Sequence, residues 1–334
     1  MTSPGDAVLV AVSGGPDSVF LVHALNYLKD KLGIALSVCT LDHGLRGYES
    51  EKDTRFVEAL STTMGLRCIR KKIDLRESKN KGLSTEEAGR AERYAFFRDS
   101  AIAVGANVIA TGHTIDDQAE TVLMRLIKGS SLKGACGIPP AREDARGLKI
   151  IRPLIELEKK EIVDYLEENG IDFRVDATNF TRVYFRNVVR HEILPFLERF
   201  NPRIKKALSN FAGHLREDSA FINEEKAKRA AGAILKTRDR VSLNLKDIVV
   251  QPKALMKEIV RDSLEAANAD IKKLSYKHWK EIDNFVRNKR NGSSLDLPGG
   301  IRLTRRKKVL EFFKVPPSKS YMTRCTRARG IRNT

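Results

Sequence analysis

The chain has 334 residues, 41% of them hydrophobic and 31% charged, enough for about two domains at roughly 150 residues each and too globular in composition for a mainly disordered protein. Its 61 lysines and arginines against 43 acids leave a formal charge of +18, which points to a polyanion partner. No apolar run approaches the roughly 20 residues of a membrane helix, and MTSPGDAVLVAVSGG has no basic stretch before its short apolar segment, so neither a membrane span nor a secretory leader is expected. The four cysteines, Cys39, Cys68, Cys136 and Cys325, stand far apart with no CxxC pair, as reduced thiols in a cytoplasmic protein would.

From residue 7 to about 170, short β-rich runs alternate with helical patterns. Strands are predicted at 7–13, 35–42, 67–74, 107–112 and 148–154, each too short and apolar for an amphipathic helix. Between them, Val19, Phe20, Val22, Leu25 and Leu28 recur at helical spacing, and a second helix over 84–103 follows the capping-box pattern Ser84 to Glu87. This order predicts a doubly wound α/β domain over 1–190, with ligands beyond the carboxyl ends of its strands. Beyond it, helices are expected near 188–200, 203–236, 252–267 and 275–290, giving a smaller, mainly helical domain over 191–313. From Ile301 onward eleven basic residues stand against Glu311 alone, and Pro316 and Pro317 break regular structure, so 314–334 is expected to be a basic, mobile tail.

The first strand runs into Ser13-Gly14-Gly15-Pro16-Asp17-Ser18 and then a helix. Two glycines let the backbone approach an anion, and the free N–H groups and dipole of the helix start face it. No lysine follows the glycines, which disfavours a Walker-type loop, while Asp17 makes sense as a Mg²⁺ ligand beside phosphates. An ordinary strand-to-helix turn, capped by serine and aspartate, has the same residues.

After the fourth strand come His113, Asp116, Asp117 and Glu120. Asp116 and Glu120 are i,i+4, and Asp117 and Glu120 are i,i+3, so carboxylates converge where the helix begins. They could hold a metal, bind an ammonium group or serve as a general base; equally, Thr114 to Asp117 is a helix capping box. Arg90 and Arg93 lie one turn apart on the preceding helix, suited to phosphate or to a solvated, ion-paired face. Arg182, Arg186, Asn187 and Arg190 sit at the expected domain junction, where basic and amide groups can grip a sugar-phosphate backbone, with Arg125, Lys128 and Lys133 extending that surface.

The SGGPDS loop resembles that of the N-type ATP pyrophosphatases, which cleave ATP between its α and β phosphates. Leu41-Asp42-His43-Gly44-Leu45-Arg46, the run Arg90 to Phe97 and Thr111 to Thr121 together are similar to one branch, the tRNA(Ile)-lysidine synthases. Asp176 to Asn179, Arg186 to Arg190 and Leu297 to Gly300 are similar to later blocks of that family, so the resemblance covers roughly residues 7–313 in order.

The resemblance implies a PP-loop fold and a ligase that attaches L-lysine to C2 of the wobble cytidine of tRNA(Ile) with a CAU anticodon, by way of an adenylated cytidine. It implies ATP contacts from Ser13, Gly14, Gly15, Pro16, Asp17, Ser18, Asp42, His43 and His113, with Mg²⁺ on Asp17. Asp117 and Glu120 would hold lysine, Arg93 would meet the charge on departing pyrophosphate, and Arg182, Arg186, Asn187 and Arg190 would bind tRNA. Longer family members carry a further carboxy-terminal domain, so this chain is expected to have the shorter architecture. A tRNA thiolase is the alternative enzyme, against which the lack of CxxC counts. A non-catalytic RNA-binding module would explain the charge but leave the acids without a task.

Overall fold

The computed structural model describes residues 1–42, 48–73, 85–144, 147–175, 185–230, 234–237 and 240–315. They form two compact units, 1–217 and 218–334. His43, the segment 176–184 with Arg182, and the expected tail from 316 lie outside the described residues.

The first unit is built on β1 (Ala7–Ala11), β2 (Ala35–Asp42), β3 (Arg67–Lys72), β4 (Val108–Thr111), β5 (Ala141–Glu143) and β6 (Lys149–Ile151), in the order β3-β2-β1-β4-β6-β5. All neighbours are parallel except the β5–β6 edge pair. The five expected strands are present, and β5 is an addition: its sequence, Ala-Arg-Glu, is exposed and has no apolar pattern to announce it. Side chains alternate across the sheet with period two. Val8, Val10, Val38, Val108, Ala110 and Ile151 enter one core with α1 (Pro16–Leu32), α2 (Tyr48–Thr63) and α6 (Lys159–Glu168), while Leu9, Cys39, Ile109 and Ile150 meet Phe96, Phe97 and Ala101 of α3 (Thr85–Val104) on the other face. Because β1 pairs with both β2 and β4, the chain reverses its winding between β1 and β4 and leaves a crevice at their carboxyl ends.

The boundary expected near residue 190 falls instead at 217. Residues 185–217 pack into the first unit because α7 (Phe185–Val188), the π-helical turn Val189–Ile193, α8 (Leu194–Glu198) and the start of α9 (Ile204–Ala230) have an apolar face to bury. Val189, Leu194, Phe185, Ile204 and Leu208 close over Ala119 and Leu123 of α4 (Ile115–Ile127). Arg216 also donates to the Cys136 carbonyl, just past α5 (Leu132–Ala135), at 2.9 Å.

The second unit keeps the helices expected near 252–267 and 275–290 and adds an antiparallel sheet in a region expected to be mainly helical. Its strands β7 (Ile234–Lys236), β8 (Val241–Asn244), β9 (Ser294–Leu297), β10 (Ile301–Arg306) and β11 (Val309–Lys314) are ordered β7-β8-β11-β10-β9. The helix expected over 203–236 stops at Ala230, and its last residues belong to β7. Val241, Leu243, Leu303, Leu310 and Phe312 form a core with α10 (Leu245–Val249), α11 (Lys253–Ala266) and α12 (Tyr276–Asn288). No helix among the described residues is long and apolar enough to cross a membrane.

Candidate active site

Two loops flank the crevice at the carboxyl ends of β1 and β4. In the first, Gly14 has φ +89°, a left-handed value that a side chain would strain, and α1 begins at Pro16 with no side chain capping its first turn. Ser18 Oγ accepts from the Ser13 amide at 3.1 Å and donates to the Gly15 carbonyl at 2.9 Å, so this hydroxyl shapes the loop. In the second, Gly112 comes so close to α1 that a Cβ there would lie 3.1 Å from the Asp17 carbonyl. The absence of a side chain brings the start of the acidic helix α4 up against the 13–18 loop.

Asp17 is a strained acid. Burial pushes its carboxyl up to about 6, with Lys159 opposing and Asp117 and Asp116 adding to the rise. Lys159 Nζ stands 3.5 Å from Oδ2, while Oδ1 is buried with no hydrogen-bond partner.

On α4, the cap and the charge cluster prove to be the same residues. Asp117 Oδ2 accepts from the Thr114 amide at 3.0 Å, closing the capping box, and its Oδ1 takes Arg186 Nη2 at 2.7 Å. Glu120 is 1% exposed and accepts from Arg186 Nε and Arg190 Nε at 2.6 Å each, with Arg190 Nη2 adding a bond at 3.1 Å. Burial raises the Asp117 carboxyl, but Arg186 and His113 outweigh it and hold the group below the usual carboxylate value. His113 receives the opposite treatment: burial drives its imidazole down to about 4 against the pull of Asp117, so it is neutral at pH 7, with Nδ1 3.0 Å from Thr111 Oγ1.

Asp17, Asp116, Asp117 and Glu120 line one cavity of about 160 Å³ with Lys159, Arg190, Glu198 and Lys205. Asp116 ties three elements together there, accepting from the Lys159 amide at 2.8 Å and pairing with Lys205 at 2.9 Å. Lys159, Glu198 and Lys205 were missed in the sequence, where nothing distinguishes them from ordinary surface charges. Asp42, at the end of β2, is 1% exposed. Arg93 on α3 feels the same neighbourhood: desolvation lowers its guanidinium, and the cations of Arg90 and Arg186 lower it further. Asn187 is half-buried on α7. Arg125 binds the Gly134 and Gly137 carbonyls, a loop clamp in place of the expected surface cation.

Residues 2–197, more than half of the chain, match the family model described as PP-loop domain. This chain belongs to the PP-loop domain family. It is 35% identical to the tRNA(Ile)-lysidine synthase of Clostridioides difficile (strain 630), over 91% of this chain and 65% of that protein. The enzymes of that name from Geobacter sulfurreducens and Symbiobacterium thermophilum are 37% and 38% identical, each over 91% of this chain and 64% of their own length. The chain thus spans somewhat less than two thirds of these curated relatives. Among solved structures, the U34-tRNA thiolase NcsA from Methanococcus maripaludis shares the PP-loop fold, with a TM-score of 0.53 and 21% identity over 64% of this chain and 73% of that one.

Proposed function

We propose that this PP-loop protein is a cytoplasmic ligase that joins L-lysine to C2 of the wobble cytidine in the CAU anticodon of tRNA(Ile), using ATP and releasing AMP and pyrophosphate. The observation that carries this reading is the cavity in which Asp17 of the phosphate loop meets the buried acids Asp117 and Glu120. The reaction needs both halves, one for nucleotide phosphates and one for an ammonium group. The names of the relatives support it.

In this reading the base's C2 oxygen attacks the α-phosphorus and pyrophosphate leaves; the lysine ε-amine then attacks C2 and AMP leaves with that oxygen. The 13–18 loop receives the phosphates, and Asp42, His43 and neutral His113 complete the nucleotide's surroundings. Arg93 offsets charge on the leaving pyrophosphate. Glu120 and Asp117 orient the ammonium and take the proton it must lose before attacking. Arg186 and Arg190 occupy those carboxylates here, so an entering ammonium competes with them, and a released guanidinium becomes free for an RNA phosphate alongside Arg182 and Asn187.

Among the described residues no group of three His, Cys, Asp or Glu side chains could enclose a metal ion. The unpartnered Asp17 Oδ1 nonetheless fits Mg²⁺ arriving with the nucleotide, since this ion commonly binds through one or two carboxylates plus phosphate oxygens. Bound there, it would neutralise phosphate charge.

Incubating the protein with tRNA, ATP and labelled lysine tests the proposal. Lysine-dependent AMP release with label in the RNA is expected; RNA binding without ATP cleavage would sink it.

A further inference from the structure

Tyr94 on α3 lies among guanidinium groups that the cavity does not use. Arg90, one turn earlier on the helix, has its Cζ 5.4 Å from the ring centroid, and Arg142 of β5 has its Cζ at 5.0 Å. Arg152, just past β6, is 1% exposed and donates from Nη1 to the Pro139 carbonyl at 2.6 Å. Its buried Nε has no hydrogen-bond partner. Among the described residues, none of Arg90, Arg142 and Arg152 forms an ion pair with a carboxylate.

Cations gathered this closely repel one another, and the field is strong enough to register on its neighbours. Burial pushes the Tyr94 hydroxyl up, yet Arg90, Arg152 and Arg142 together outweigh it and hold the group below the usual phenol value. Arg152 and Arg90 also contribute to keeping His113 neutral, after burial itself. The cluster therefore borders the reaction site, and Arg90 and Arg142 are exposed to anything approaching from outside.

We propose that Arg90, Arg142 and Arg152, gathered around Tyr94, form a phosphate site that holds a backbone phosphate of the RNA beside the reacting base. This rests on the tRNA reading above. Phosphate is the chemistry the cluster fits, and position favours the polymer over the nucleotide. The loop at 13–18 follows β1, whereas β6 and β5 lie two and three strands away, about 10 and 14 Å at ~4.8 Å per strand. A polynucleotide spans that distance from a base at the crevice. Arg142 and Arg90, held over the Tyr94 ring, present planar donors to the diester, and buried Arg152 adds its positive charge from below.

Arg142 is exposed on an edge strand, so Arg142→Gln leaves the core intact, and equal Tm values for variant and wild type check this. tRNA affinity across a salt series and the KM for ATP are measured for wild type, Arg142→Gln and Arg142→Lys. Arg142→Gln is expected to weaken tRNA binding about 5-fold to 10-fold and to reduce the slope of log K against log salt by about 0.9, with KM for ATP unchanged, while Arg142→Lys keeps the slope. A rise in KM for ATP with tRNA binding unchanged would keep the phosphate site and assign it to the nucleotide. No change in either overturns the site. Wild-type protein that binds no tRNA would defeat the functional reading itself, and the ATP measurement would then decide the site alone.

Discussion

In residues 1–217, Glu120 is buried under two guanidinium groups, whereas in residues 218–334 Asp296 and Arg302 meet at 2.6 Å with side chains 45% and 39% exposed. The first unit places charges where desolvation is costly, at the carboxyl ends of β1 and β4. The second buries one arginine, Arg261, against Glu258 on its own helix, leaves pairs such as Asp296–Arg302 open to water, and takes its stability from an apolar core around Leu243, Leu303, Leu310 and Phe312. Buried ion pairs are seldom the most stable way to fill a space, so the convergence of two arginines on one buried acid marks the carboxyl ends of β1 and β4 as the place where charge is held at a cost to stability.

The comparison breaks most readily at Glu120. Glu120→Ala leaves Arg186 and Arg190 without their shared carboxylate and is expected to cost about 3–5 kcal/mol in denaturant unfolding, with lysine-dependent AMP release abolished. Loss of activity at unchanged stability would show that the arginines do not depend on this acid. In the second unit the matching loss comes from a hydrocarbon: Phe312→Ala is expected to cost about 3–5 kcal/mol, read as faster hydrogen exchange across β8, β10 and β11.

Asp17 should move stability the other way. Its folded carboxyl is raised to about 6 against an ordinary 3.8, so the folded state binds the proton more tightly than the unfolded one. The stabilisation this gives is complete below about pH 4 and is lost as pH rises through 6, leaving a penalty of up to about 3 kcal/mol at neutral pH. Asp17→Asn is therefore expected to raise Tm at pH 7, to leave it near wild type at pH 4, and to abolish ATP cleavage. A lower Tm at pH 7 would refute the burial argument. The smallest effect is expected at Asp296→Ala, under about 1 kcal/mol in the same unfolding measurement, because the exposed pair is screened by water and salt.

The residues that announced the first unit were those whose role is local. A two-residue alternation places Val8 and Val10 on one face and Leu9 on the other, and the glycines of the 13–18 loop mark a turn wherever it occurs. The second sheet is less legible because Arg302, Arg305 and Arg306 lie among Ile301 and Leu303, so that charge interrupts the alternation of a strand with one apolar face. The first unit's extension to residue 217 was hidden for another reason: the apolar face of 185–208 is visible as a helix, but not what it covers.

Sequence alone determined the strand-loop-helix that presents Asp17, the convergence of Asp117 with Glu120 and the excess of positive charge, since each depends on neighbours within a turn or two or on composition. Only the tertiary structure decided that Arg186 and Arg190 settle on those acids, that Lys159 reaches Asp17 and that Arg142 joins Arg90 at Tyr94. These partners come from segments tens of residues apart. Which charges meet depends on how strands are ordered in the sheet and which helices close over its edge, and no local spacing encodes that.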